Sequence, residues 1–155
     1  MTTASAVERA RAVAEKAYAP YSHFHVGCVV ETEGDGAFEA ANMENASYGL
    51  SICAEVGALA AANAGAGLAQ VRRVIVAGGT IDEAGTLGGT AVATPCGRCR
   101  QLILEAAQAS GHDLEVVCVS GDGATVRSYR ISELLPDGFD SSGFGRRGNP
   151  ALAAE

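Results

Sequence analysis

Apolar side chains along the 155-residue chain recur in two rhythms, and the switches between them mark the elements. Val7, Ala10, Val13, Ala14, Ala17 and Tyr18 return at helical intervals before Pro20, behind Ser5 and Glu8 at capping-box spacing. This predicts a helix over roughly 6–18. Residues 24–32 and 36–41 are rich in Val and aromatic character and flank Glu33-Gly34-Asp35-Gly36, which predicts a β-hairpin. Ile52, Val56, Leu59 and Ala60 fall on one stripe of a helix expected over 52–65, capped by Ser51 and ended by Gly65 and Gly67. The run Val71 to Ala77 reads as a buried strand, and 80–93 as a Gly- and Thr-rich loop without periodicity. Thr94-Pro95 is expected to open a third helix with Pro at its first position and Leu102, Ile103, Ala106 and Ala107 on its apolar face. Residues 114–119 and 124–131 are two more strands, and 132–135 a short helical turn. The four-residue link 120–123 allows an antiparallel pair but not a parallel crossover, which needs a dozen or more residues. The order α-β-β-α-β-α-β-β predicts an α/β fold: one mixed, five-stranded sheet with helices on its faces and its last two strands antiparallel.

Composition narrows this picture. A chain of this length makes one domain, and 20 Gly with only 5% aromatic residues call for a core of small aliphatic side chains. Residues 140–155, with Ser-Ser-Gly, Arg-Arg-Gly and Asn-Pro, are expected to be a mobile tail behind a domain spanning 1–139. A formal charge of −7 repels a phosphate backbone and argues against a nucleic-acid partner. Glu8, Arg9, Arg11, Glu15 and Lys16 leave no apolar segment of an export signal in residues 1–20. No stretch reaches the roughly eighteen apolar residues of a membrane span either. The expected setting is a reducing cytoplasm, where clustered cysteines signal metal or catalysis more often than disulfides.

Two segments at predicted helix starts share one chemistry: Cys53-Ala54-Glu55 and Pro95-Cys96-Gly97-Arg98-Cys99. Three thiolates placed in first turns can converge on one tetrahedral ion and leave its fourth position open. Sulfur ligands favour Zn²⁺, and the positive end of each helix dipole favours thiolate. Cys-x-x-Cys alone equally fits a thiol redox pair; the carboxylate two residues from Cys53 is what a hydrolytic zinc site requires as a base. Cys28 and Cys118, inside Val-rich strands, read as buried small hydrophobes, and His23, His25 and His112 lack ligand spacing.

Four blocks then point to a family. Tyr21-Ser-His-Phe-His-Val-Gly27, Asn42-Met-Glu-Asn-Ala-Ser-Tyr-Gly-Leu50, Cys53-Ala-Glu55 and Pro95-Cys-Gly-Arg-Cys-Arg-Gln101 together resemble the small homotetrameric cytidine deaminases, as does Glu133-Leu-Leu-Pro-Asp-Gly-Phe139. The resemblance implies a three-layer α/β/α fold and zinc-dependent hydrolytic deamination of cytidine and deoxycytidine. It implies one Zn²⁺ per chain on Cys53, Cys96 and Cys99, with Glu55 as proton shuttle. It assigns Asn42 and Glu44 to the ribose, Phe24 to the pyrimidine ring, and Asn45, Ala46, Tyr48 and Phe139 to the active site of a neighbouring subunit in a homotetramer. One departure stands out: many members carry Arg directly after the catalytic Glu, where this chain has Val56. Three thiolates on Zn²⁺ leave a net −1 that helix dipoles or another Arg must offset.

A blasticidin-type or modified-cytosine deaminase is the nearest alternative, disfavoured by residues 42–50. Polynucleotide-editing deaminases conflict with the short 120–123 link and the negative charge. A structural zinc protein would need a fourth ligand, and a thiol redox module would leave Glu55, Asn42 and Glu44 without a role.

Overall fold

A computed structural model describes residues 2–141. Helix α1 (Thr3–Ala14) precedes a hairpin of β1 (His25–Thr32) and β2 (Ala37–Ala41). Then follow α2 (Ala54–Gly65), β3 (Val71–Ile81), β4 (Leu87–Gly88), α3 (Gly97–Ser110), β5 (Glu115–Ser120), β6 (Val126–Arg130) and α4 (Ile131–Leu134). The sheet runs β2-β1-β3-β5-β6, with the two-residue β4 paired to the end of β3. β3 and β5 are parallel, as a crossover through α3 requires, and every other pair is antiparallel. The five expected strands and the antiparallel last pair are therefore present, with β4 as an addition.

Alternation along the strands divides the core into two faces. Val29, Ile75, Ala77, Val117 and Val119 pack with Ala6, Val7, Ala10 and Ala14 of α1. Cys28, Val30, Val74, Val76, Val116 and Cys118 pack with Ala54, Ala58 and Ala62 of α2, Ile103 and Ala106 of α3, and Ile131. This is the three-layer arrangement, held by small residues as the composition requires. α1 sits unusually close: a Cβ built on Gly27 would lie 2.1 Å from the Ala10 carbonyl oxygen and 2.6 Å from the Ala14 nitrogen.

Element ends differ from the periodicity for identifiable reasons. α1 starts at Thr3 because Thr2, not Ser5, is the N-cap, its hydroxyl accepting from the Ser5 N–H. It stops at Ala14 because Tyr18 leaves the helix to bridge Met43. α2 cannot begin at Ile52, which exchanges both backbone hydrogen bonds with Met43 at 2.9 Å, so Cys53 becomes the N-cap. Pro95 lies outside α3, whose N-cap is Cys96. The loop expected over 80–93 instead begins as strand: β3 runs on to Ile81, and Asp82 Oδ1 accepts from the Ala84 and Thr86 N–H groups to turn the chain into β4. Apart from Asp140 and Ser141, the expected tail lies outside the described residues.

Candidate active site

The two N-termini that face the sheet on its α2/α3 side open into one cavity of about 410 Å³, within the range of small-molecule sites. Its wall includes Phe24, Val26, Asn42, Glu44, Cys53, Glu55, Val76, Thr94 and Cys96. The sulfurs of Cys53, Cys96 and Cys99 all lie within 4.8 Å of one another, and those of Cys96 and Cys99 are 3.6 Å apart. Sulfurs around a tetrahedral zinc, each about 2.3 Å from the metal, are separated by about 3.8 Å, so the thiols fit that ion. All five cysteines are free thiols. No fourth His, Cys, Asp or Glu joins the cluster among the described residues.

The ligand positions correct one expectation. Only Cys99 lies in a first turn; Cys53 and Cys96 are N-caps. The pair still converges, because N-cap and third-position side chains face each other across a helix start. Burial pushes the Cys53 and Cys99 thiols up, with neighbouring charge adding to it. Burial also opposes ionisation of Cys96, but the Cys99 backbone N–H and the adjacent thiols outweigh it and hold Cys96 below the ordinary thiol value.

Glu55, in the first turn of α2, is only 4% exposed. Burial pushes its carboxyl up, opposed by its own backbone N–H and by Cys99. Cys28 and Cys118 flank Val76 in register on the same sheet face. Burial, then the Glu55 charge, raises Cys28 well above an ordinary thiol and Cys118 to about 12. Both are inert packing residues, as their surroundings predicted.

Asn42 and Glu44 already hold the entrance together. Asn42 Oδ1 accepts from the Val26 N–H at 2.8 Å, and its Nδ2 donates to the Phe24 carbonyl at 3.1 Å. One amide hydrogen and one oxygen lone pair remain to face the cavity. Glu44 accepts from the Tyr21 N–H at 2.9 Å, the Ser22 N–H at 3.2 Å and the Ser22 hydroxyl. The Ser22 hydroxyl first, and the Tyr21 N–H next, hold its carboxyl below the ordinary value. A folded-state pKa below the unfolded one means stabilisation that is complete above the unfolded value and lost as pH falls through the folded one. In thermal melts the gap between the native chain and Glu44→Gln is therefore expected to close across that acid window. A gap that stays constant with pH would contradict it.

Phe24 lies beside the cavity, 45% exposed, rather than in the core. Its ring rests over Gly78, where a Cβ would be 3.2 Å from the ring and 2.8 Å from Ala93 Cβ. Asn45, Ala46, Tyr48 and Phe139 do not line this cavity. Asn45 Oδ1 accepts from the Ser47 N–H at 2.8 Å, Tyr48 meets Tyr21 edge-on with ring centres 6.0 Å apart, and the Phe139 carbonyl accepts from Gln101 at 2.7 Å. Sequence reasoning missed Val26, Ser51, Ile52, Ala54, Val76, Ala93 and Thr94 in the wall. Val26 follows from sharing a strand face with Phe24, and Thr94 from adjoining Pro95-Cys96; nothing local marks Val76 or Ala93.

Residues 1–111 match the family model described as the cytidine and deoxycytidylate deaminase zinc-binding region. The chain belongs to this deaminase family. It is similar to a probable cytidine deaminase of Dictyostelium discoideum, 36% identical over 133 residues that cover 86% of this chain and 80% of the relative. A cytidine deaminase of Mycobacterium tuberculosis is 35% identical over 79% of this chain and 78% of its own length. The crystal structure of cytidine deaminase from Burkholderia pseudomallei superimposes with a TM-score of 0.74 at 41% identity, covering 90% of this chain and all of that one. Membership makes this deaminase a zinc-dependent hydrolase, and the Cys53, Cys96 and Cys99 cluster fits the metal. Among its described residues no helix is long and apolar enough to cross a membrane.

Proposed function

We propose that this deaminase converts cytidine and deoxycytidine, with water, to uridine and deoxyuridine plus ammonia, as a step of pyrimidine salvage in the cytoplasm. The observation that carries the reading is the sharing of one cavity: Cys53, Cys96 and buried Glu55 form one part of it, with the buried Cys99 sulfur within 4.8 Å of the other two, and Phe24, Asn42 and Glu44 form another. Cys53, Cys96 and Cys99 would hold the zinc, which when bound makes water a nucleophile near neutral pH. Glu55 takes one proton of the attacking water and delivers it to ring N3 as C4 is attacked. It then takes the proton of the new C4 hydroxyl and passes it to the amine, so that the C4–N bond breaks, ammonia leaves and C4 becomes a carbonyl. Its burial suits both halves of that task, because a carboxyl with a raised pKa binds and releases a proton closer to neutrality. Phe24 offers a face to the pyrimidine, and the spare donor and acceptor of Asn42 and Glu44 suit a ribose hydroxyl.

Assembly into a homotetramer belongs to the same reading. Tyr48 at 76%, Leu50 at 63% and Phe139 at 71% exposure are large apolar groups displayed on the surface. Packing against further copies would cover them and would bring Asn45, Ala46, Tyr48 and Phe139 toward a neighbour's cavity.

Absorbance assays on cytidine, deoxycytidine and blasticidin S, with ammonia and zinc measured alongside, test the proposal. Turnover of both nucleosides by protein holding about one zinc per chain is expected. Turnover of blasticidin S alone, or of none of the three, would overturn it.

A further inference from the structure

Cys96 is the least constrained of the three thiols. Cys99 is fully buried within a helix, and Cys53 follows directly on the backbone bridge between Ile52 and Met43. Cys96 is exposed, and as N-cap of α3 its side chain makes no capping hydrogen bond, so its sulfur goes wherever the backbone of residues 94–96 goes. One side chain holds that backbone. Arg100 Nε donates to the Pro95 carbonyl at 2.8 Å, Nη2 to Thr94 Oγ1 at 3.5 Å, and Nη1 to the Leu134 carbonyl at 2.8 Å. Its own backbone N–H donates to the Cys96 carbonyl at 2.9 Å. Pro95 is buried, so its carbonyl would be costly to leave unpaired. The far anchor is firm too: Leu134 ends α4, whose Ile131 is 1% exposed in the core and donates its N–H to the Leu114 carbonyl at 3.0 Å.

We infer that Arg100 is a positioning residue which, through the fork of its guanidinium, ties the Thr94–Cys96 segment to α4 and so fixes where the Cys96 thiol meets the metal. The inference rests on the zinc-deaminase reading above. A guanidinium reaches two carbonyls and a hydroxyl at once because its donors are spread over a rigid plane; an ammonium, a point charge, cannot span them. Geometry, rather than positive charge, is thus what Arg100 supplies.

The test compares purified zinc-loaded native protein with Arg100→Lys and Arg100→Gln, following zinc release to a chromogenic chelator without substrate. Arg100→Lys keeps the charge and one carbonyl bond, and is expected to fold with an ordinary cooperative melt. Both variants are expected to release zinc roughly 10-fold faster than the native chain, the scale of losses when groups behind metal ligands are changed. With zinc in excess, kcat for cytidine should fall while KM stays within about twofold, since the ribose and ring contacts are untouched. Native release rates in Arg100→Lys would overturn the inference, because charge alone would then suffice, and native rates in Arg100→Gln would do so as well. If Arg100→Gln fails to fold, Arg100→Lys decides. Release is read without turnover, so a native protein that binds zinc but deaminates nothing would end the functional proposal and leave the Arg100 result standing on its own.

Discussion

Replacing Glu55 by Gln is expected to lower kcat for cytidine by roughly 10²–10⁴-fold, the span assigned to a positioned acid or base, while about one zinc per chain is retained. Gln matches Glu in shape and cannot carry a proton between water, ring nitrogen and leaving amine. The loss should appear in kcat and kcat/KM together, because the missing interaction belongs to the transition state. The thermal midpoint should not fall. Glu55 is buried and its charged form disfavoured, so a neutral amide relieves desolvation rather than creating it. A variant that keeps zinc and turns over near the native rate would remove Glu55 from the mechanism.

The second large effect concerns the thiols. Cys99→Ser is expected to purify with little zinc and to lose at least about 10²-fold in activity, since the metal's share of such a barrier is several kcal/mol. It should also melt earlier than the native chain. Metal bound by the folded state alone adds to stability, and two remaining thiols at N-caps hold the ion poorly. Cys118→Ala is the matched comparison: equally buried, on the sheet face that α3 covers, and expected to keep zinc and activity. Elemental analysis and melting curves on the two variants check both halves. Equal zinc loss in Cys118→Ala would mean that the ligand set is wrongly assigned.

Much of this was legible because the chemistry sits in short, contiguous blocks. Cys53-Ala-Glu55 and Pro95 to Cys99 carry the metal and the base within one helical turn each, so spacing alone brought their side chains to one side. Strand pairing around 120–123 followed from a loop too short for any crossover. What stayed hidden depended on contacts between distant segments. Ser51 looked like a helix cap because its partner Asn45, whose N–H it takes at 3.1 Å, gives no local signal. Ile52 looked helical until its pairing with Met43 claimed it for a bridge. The second strand of the 80–88 hairpin is two residues long, below the length at which alternation can be read. Val76 and Ala93 reach the cavity wall only through sheet order and the return of the 89–95 segment over it. Asn42 and Glu44 were visible as ribose candidates by resemblance, yet their bonds to residues 21–26 were not.

The contact of α1 with Gly27 divides the freedom to change between neighbouring positions. Where helix backbone rests against strand backbone at Gly27 there is no room for a side chain, whereas the opposite face of the sheet opens onto the cavity of the candidate site. Within β3, Ile75 therefore answers to the packing of α1, and Val76, the next residue, to whatever molecule enters the site. A lineage drifting toward a new substrate could rewrite Val76 and leave Ile75 and Ala77, on either side of it in the strand, unaltered.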